Sequence, residues 1–176
     1  MTQRGVLLRD DNDNAVQGFG LSTSTPVTFT GSNATVAVPI FRLTGTVEVL
    51  GIYGVVTTDI GVNHTAAYWR LNDQTAQVNI TLNTGTTLSA MKVGSTIVKK
   101  GLAGAALTLL DNAAGRVSEP TTLETMYFSP FTAMKKTGAT TDIEYVYTTT
   151  DTPTTGAIQF FVLWYPLSQD GRLTPI

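Results

Sequence analysis

The 176-residue chain has no cysteine and a single histidine, His64. The first absence excludes a disulfide framework and any thiolate metal site, and the second excludes a multi-histidine metal centre. Stability must therefore come from packing or assembly. Charge is also scarce: Asp, Glu, Lys and Arg make up 14% of the residues, against ~25% in ordinary soluble domains. Such a surface fits a protein whose faces are partly covered by copies of itself or by a partner, or one whose water-facing side is built from hydroxyl groups. The formal charge is −2, so no sequence-independent attraction to nucleic acid or anionic lipid is expected. Lys99-Lys100 and Lys135-Lys136 are too short to reverse that. No apolar run approaches the ~18 residues of a membrane-spanning helix. The stretch from Met1 to Arg9 holds only a brief apolar run before an acidic cluster, so it does not read as a signal peptide, and synthesis in a cytoplasm is expected.

What is abundant is threonine, with 32 residues. Threonine is β-branched and suits extended backbone, while its hydroxyl can face water, so it gives a strand a polar side without charge. The threonines recur at alternate positions beside valine, isoleucine, tyrosine and phenylalanine, and they also fill the turns. This argues for a β scaffold. The length suits one domain, since ~150 residues bury roughly 68–70% of their unfolded surface.

Along the chain, residues 1–38 read as an N-terminal arm with short strands, 39–165 as the core, and 166–176 as a C-terminal arm. Phe41, Leu43, Val47 and Val49 alternate with Arg42, Thr44, Thr46 and Glu48, with Gly45 marking a bulge or close backbone approach. Short strands are expected over 52–58, 66–71 and 76–82, the last placing Val78, Ile80 and Leu82 on one face. The stretches 88–100 and 102–110 are open between helix and strand. Ile143, Tyr145 and Tyr147 alternate with Asp142, Glu144, Val146 and Thr148. The turn-rich loop 151–156 then leads to a strand over 157–165, and the two strands are expected to form a hairpin. In the second of them, Ile158, Phe160, Val162 and Trp164 oppose Gln159, Phe161, Leu163 and Tyr165, and burial of both faces is expected. About ten short strands with turns between them call for a single-domain, all-β antiparallel sandwich of jelly-roll type with extended terminal arms. An immunoglobulin-like sandwich is the alternative, without its cysteine pair.

Candidate chemistry is sparse. His64 lies in Gly61-Val62-Asn63-His64-Thr65 and reads as a solvated loop histidine, since no motif places a serine and a carboxylate beside it. Asp10, Asn12 and Asn14 have the spacing of a calcium loop's first ligands, but Ala15 and Leu21 stand where glycine and glutamate belong, so a polar turn is expected. Asp142 with Glu144, and Glu119 with Glu124, are the candidate carboxylate pairs for glycosidase chemistry, and solvated positions are the expected reading. Glycosylation-type triplets at Asn33, Asn63 and Asn79 follow from abundant threonine. Gly101 and Gly104 make no phosphate loop. Tyr53, Tyr68, Trp69, Trp164 and Tyr165 suit core or interface positions better than stacking platforms for sugar or bases. No catalytic, cofactor-binding or metal-binding set is expected.

Four segments, Phe41-Arg42-Leu43-Thr44-Gly45, Leu71-Asn72-Asp73-Gln74-Thr75-Ala76, Gly115-Arg116-Val117-Ser118-Glu119-Pro120 and Trp164-Tyr165-Pro166-Leu167-Ser168, resemble structural proteins of tailed bacteriophages. The resemblance spans roughly residues 38–171. It implies a virion protein that decorates or cements the head, trimeric and seated on local threefold axes of the major capsid protein, with terminal arms gripping the shell. It carries over no binding residue. A non-enzymatic capsid decoration protein is therefore the leading expectation, and a head-fibre or tail module binding host carbohydrate through aromatics such as Trp69 is the alternative. A depolymerising hydrolase comes third.

Overall fold

The computed structural model describes residues 8–9, 15–16, 18–30, 32–61, 64–84, 87–101, 104–106, 108–110, 129–151 and 155–176. Every regular element among them is a β-strand. Strands β1 (Leu8–Arg9) and β2 (Ala15–Val16) form a two-stranded ladder. A seven-stranded sheet holds β3 (Gly20–Thr23), β4 (Val27–Thr28), β6 (Thr46–Thr58), β9 (Thr96–Val98), β10 (Thr108–Leu110), β11 (Phe131–Met134) and β13 (Ala157–Pro166). Its order is β10-β9-β6-β13-β3, with β11 also on β6 and β4 also on β13. A five-stranded sheet runs β14-β5-β12-β7-β8, from β5 (Thr35–Thr44), β7 (His64–Asn72), β8 (Gln77–Asn79), β12 (Thr141–Thr149) and β14 (Arg172–Pro175). All strand pairings in both sheets are antiparallel. The architecture is all-β with two antiparallel sheets, consistent with a β-sandwich.

The two sheets share one core because alternation sends every second side chain of each inner strand to the same layer. From the five-stranded sheet come Phe41, Leu43, Trp69, Ile143 and Tyr145; from the seven-stranded sheet come Val49, Ile52, Ile158, Phe160 and Val162, all with no measurable exposure. The layers meet where Tyr145 and Phe160 approach with ring centroids 4.7 Å apart, and Trp69 reaches Phe160 edge-on at 6.3 Å. Phe160 pairs with Gly54 across the ladder. A Cβ on Gly54 would stand 2.7 Å from Ile158 Cγ2 and 2.9 Å from Phe160 Cε1, so glycine makes room for the ring there.

Several expectations are corrected. The strand read through Phe41–Val49 is two strands, since Gly45 takes a left-handed φ of 55° and turns the chain from the five-stranded sheet into the seven-stranded one. Asp170 and Ser168 crowd the side where its Cβ would be. The expected hairpin between β12 and β13 does not form: β12 pairs with β5 and β7, and β13 with β6, β3 and β4. Each is an interior strand of its own sheet, so the chain changes sheet between Thr149 and Ala157. The stretch 76–82 gives only the short edge strand β8; Val78 is 61% exposed and Leu82 45%, whereas Ile80 is buried.

The terminal segments contribute strands to both sheets. Strands β3 and β4 pair with β13, residues 35–38 belong to β5, and β14 pairs with β5 and buries Leu173 completely. Their apolar residues have a sheet edge within reach, and pairing satisfies backbone groups that an arm would leave to water. Of the two ambiguous stretches, 96–98 and 108–110 are strands.

Phe160→Ala should lower the unfolding free energy by ~3–5 kcal/mol, the usual cost of emptying a core phenylalanine site. Phe161→Ala, one residue on and facing outward, should cost less than half as much; equal losses in urea titrations would refute the assigned faces. Tyr145 is fully buried and its hydroxyl has no hydrogen-bond partner. Tyr145→Phe should therefore be neutral or stabilising, by up to ~1–3 kcal/mol, and a loss of stability would show that the hydroxyl is satisfied after all.

Candidate functional site

The outward faces of the two sheets have opposite chemistry. On the five-stranded sheet, Arg42 holds Asp142 through two bonds of 3.0 and 3.1 Å. Arg70 Nε donates to Glu144 Oε2 at 2.6 Å, Asn72 Nδ2 donates to Glu144 Oε1 at 2.8 Å, and Arg70 Nη1 donates to Gln77 Oε1 at 2.6 Å. These pairs follow the strand register, with Asp142 opposite Arg42 and Glu144 opposite Arg70. The candidate pair Asp142 and Glu144 does lie on one face, and each carboxylate is tied to an arginine of a neighbouring strand. Glu119 and Glu124 lie outside the described residues.

On the seven-stranded sheet the outward row of β13 beyond Gln159 is aromatic and aliphatic. Leu163 lies opposite Leu21, and these are 39% and 49% exposed. Phe161 lies opposite Tyr53 and stacks on it at 5.0 Å with the rings 10° from parallel. Phe19, 47% exposed, meets Tyr165 edge-on at 6.0 Å. The Tyr165 hydroxyl donates to Glu48 Oε2 at 2.6 Å, and that bond raises its pKa. The expected burial of both faces of β13 is thus corrected: its inner row is closed and its outer row is open. The sequence signal was present in Phe161, Leu163 and Tyr165, but their exposure depends on nothing within the described chain crossing that face.

The remaining candidates are dispersed. His64 is not a solvated loop residue: it opens β7 and is 1% exposed. Its ring lies 4.3 Å from that of Phe29 and 6.1 Å from that of Tyr147. Its carbonyl accepts from the Thr87 and Ser89 hydroxyls and from the Leu88 N–H. Neither ring nitrogen completes a hydrogen bond. Burial lowers the imidazole pKa, and the nearby Thr155 backbone offsets this only in part.

Trp69 is fully buried, which removes it as a sugar platform; Trp164 is 6% exposed and donates through Nε1 to Ser22 Oγ at 3.1 Å. Tyr53, Tyr68 and Tyr165 are half-buried. Asn33 sits in a left-handed loop position and Asn79 on the edge strand β8. Asp10, Asn12, Asn14 and Asn63 lie outside the described residues. Among the described residues, no three His, Asp or Glu side chains come together as metal ligands.

One cation was missed. Lys99, paired in the sequence with the half-buried Lys100, is 3% exposed. Its Nζ donates to the carbonyls of Gly101 at 2.5 Å and Ser129 at 3.2 Å, and lies 5.5 Å from the centre of the Phe131 ring. Desolvation lowers its pKa. The signal was the two-residue step from Ile97, which places both side chains on one side of extended backbone. In the other basic pair, the Lys135 N–H donates to the Gly45 carbonyl and Lys136 pairs with Asp73 at 3.5 Å. The chain gives no significant match to any protein family, curated protein or solved structure.

The histidine makes stability depend on pH in a defined window. Its folded pKa is depressed below the unfolded ~6.5, so the unfolded state binds more protons as pH falls. The contribution is complete above the unfolded value and declines as pH drops toward the folded one. Asp73 cannot mimic this, because the Thr75 hydroxyl and the Ala76 and Thr75 N–H groups hold its pKa at about 2. Urea midpoints should therefore fall between about pH 7.5 and about pH 5, and His64→Phe should flatten that slope. An unchanged slope would show that His64 is not its source.

Proposed function

We propose that the chain is a non-enzymatic bacteriophage virion protein, a capsid decoration or cement protein. In this reading it acts as a homo-oligomer, a trimer, bound to the major capsid protein on the outside of the head, with a sandwich of jelly-roll type. The observation that carries the reading is the open apolar row Phe19, Leu21, Phe161 and Leu163 on the seven-stranded sheet. The opposite sheet carries the ion pairs Arg42–Asp142 and Arg70–Glu144 on its outer face. A chain short of charge that still forms charge pairs on one face, and none among these row residues, has the chemistry of a subunit covered on one side. The four phage-like segments supply the particle.

A neighbouring copy of the chain is the occupant assigned to the apolar face. Contacts repeated around a symmetric assembly then multiply a weak grip on the shell by avidity. The terminal segments contribute less than free arms would, because β14 and β3 are integral to the sheets.

Light scattering should give a solution mass of three times 18.8 kDa. Leu21→Glu combined with Leu163→Glu should reduce it to a monomer with an unchanged far-ultraviolet spectrum. Co-expression with the phage's major capsid protein should place the wild type on heads at high occupancy. Loss of multivalency should lower the double variant's binding by ~10²-fold or more. A wild type that stays monomeric at high concentration, or heads that take up neither protein, would overturn the proposal.

A further inference from the structure

At one open side of the two sheets lies a cavity of about 260 Å³. Its walls come from Leu71 of β7, Val78 of β8, Ile80 just beyond it, Phe131 and Ala133 of β11, and Lys99 after β9. Asn79, Ser129 and Thr132 add polar groups to its rim, Lys99 is its one charged residue, and none of the wall residues belongs to the aromatic row of the outer face. A cavity of ~150 Å³ accommodates benzene, so this one has room for about ten non-hydrogen atoms.

The position of Lys99 gives the cavity its chemistry. Two of its three donors are used by the Gly101 and Ser129 carbonyls, and the third has no acceptor among the described residues. Among the described residues no carboxylate pairs with it: their ion pairs involve Arg42, Arg70, Lys92 and Lys136. An ammonium taken out of water without a countercharge is costly, because two neutral carbonyls return only part of its hydration. An anion placed beside it would regain that loss through a charge-assisted hydrogen bond in a low-dielectric wall. A largely apolar, partly open cavity with a single fixed cation in its wall matches a ligand with an apolar body and one negative head.

We propose that this cavity is a binding site for a small apolar monocarboxylate of about ten non-hydrogen atoms, with Lys99 pairing the carboxylate and Val78, Ile80, Phe131 and Ala133 enclosing the hydrocarbon. The two carbonyls hold the ammonium in place before the ligand arrives, which limits the ordering cost of binding. The site needs no second copy of the chain, so it stands apart from the assembly proposed above.

The probe is octanoate, with 1-octanol as its uncharged counterpart, titrated into the full 176-residue chain while methyl resonances are followed by NMR. Octanoate should shift the methyl signals of Leu71, Val78, Ile80 and Ala133 in a saturable way. Lys99→Met, which keeps the side-chain length and removes the charge, should weaken octanoate binding at least about 10-fold, equivalent to ~1.4 kcal/mol, and leave octanol binding within about twofold. Ala133→Leu, which fills the cavity and keeps the lysine, should abolish binding of both, and it decides the matter if the Lys99 variant fails to fold. Absence of saturable shifts in the wild type at millimolar octanoate would overturn the proposal. So would undiminished octanoate binding by Lys99→Met or by Ala133→Leu.

Discussion

Tyr145 and Phe160 meet at 4.7 Å across the layer between the sheets, and the arrangement of the chain depends on that contact. Each residue sits on a strand with neighbours on both edges, so each sheet presents its own middle to the other. Gly54 gives the phenylalanine ring its place, Trp69 closes on both rings, and the turn at Gly45 lets one continuous stretch of sequence serve both sheets. An aromatic pair contributes only ~0.5–1.5 kcal/mol beyond its area. The area is the larger effect: ~150–250 Å² for each ring, at ~25 cal/mol per Å², gives about 4–6 kcal/mol per residue. Four or five such rings exceed the ~2–4 kcal/mol of a disulfide, so a chain without cysteine can hold two sheets together by their middles.

That choice fixes what remains for the outside. With the largest apolar residues committed inward, the five-stranded sheet completes its outer face with side chains that satisfy one another across the register. Arg70 and Glu144 are nearly as enclosed as core residues, with side chains 14% and 8% exposed. Their pair is supported by Asn72 and Gln77, the support that a desolvated ion pair requires. The seven-stranded sheet has no such set on β13. Its outer row alternates Gln159 with Phe161, Leu163 and Tyr165, and stacking on Tyr53 and Phe19 covers these rings only in part. The contrast between the faces arises from side-chain choice on strands of the same geometry.

Much of this was legible in the sequence, and the illegible part has a physical boundary. Alternation separated the two rows of β12 and of β13 correctly, since a period of two decides which residues share a side, but it did not show that only one face of β13 is buried. It cannot decide which strand lies alongside, because the same turn-rich loop can close a hairpin or arch between layers. Hence 151–156 was read as a hairpin turn although it joins different sheets. Gly45 was recognised as a break but not as a corner, because an unbroken alternation of buried residues continues across it. Val78 and Leu82 alternate as a core strand would, yet β8 is an edge strand that ends after three residues. His64 looked solvated among turn residues, but Phe29 from a distant strand connection and Tyr147 of β12 pack against its ring. Lys99 lies on the inward step from Ile97, and charge alone argued for putting it outside.

The interior also shows how far apolar area can carry polar groups. Tyr145 and Tyr147 lie two residues apart on one face of β12, both essentially inaccessible. The hydroxyl of Tyr147 accepts from the Thr30 N–H at 2.9 Å and donates to the Thr30 carbonyl at 3.1 Å. It thereby joins the segment after β4 to the opposite sheet and satisfies two backbone groups where no ladder is available. Tyr145, Trp69 and His64 have no such partners for their polar side-chain atoms. At ~1–3 kcal/mol for each unsatisfied group, three such side chains cost about 3–9 kcal/mol, a sizeable fraction of the ~5–15 kcal/mol net stability of a typical domain. Ring burial outweighs that cost for tyrosine and tryptophan, whose areas are large, but imidazole has less carbon to offer and can take up a proton. Of the three, only the histidine can turn its enclosure into a dependence on pH near neutrality.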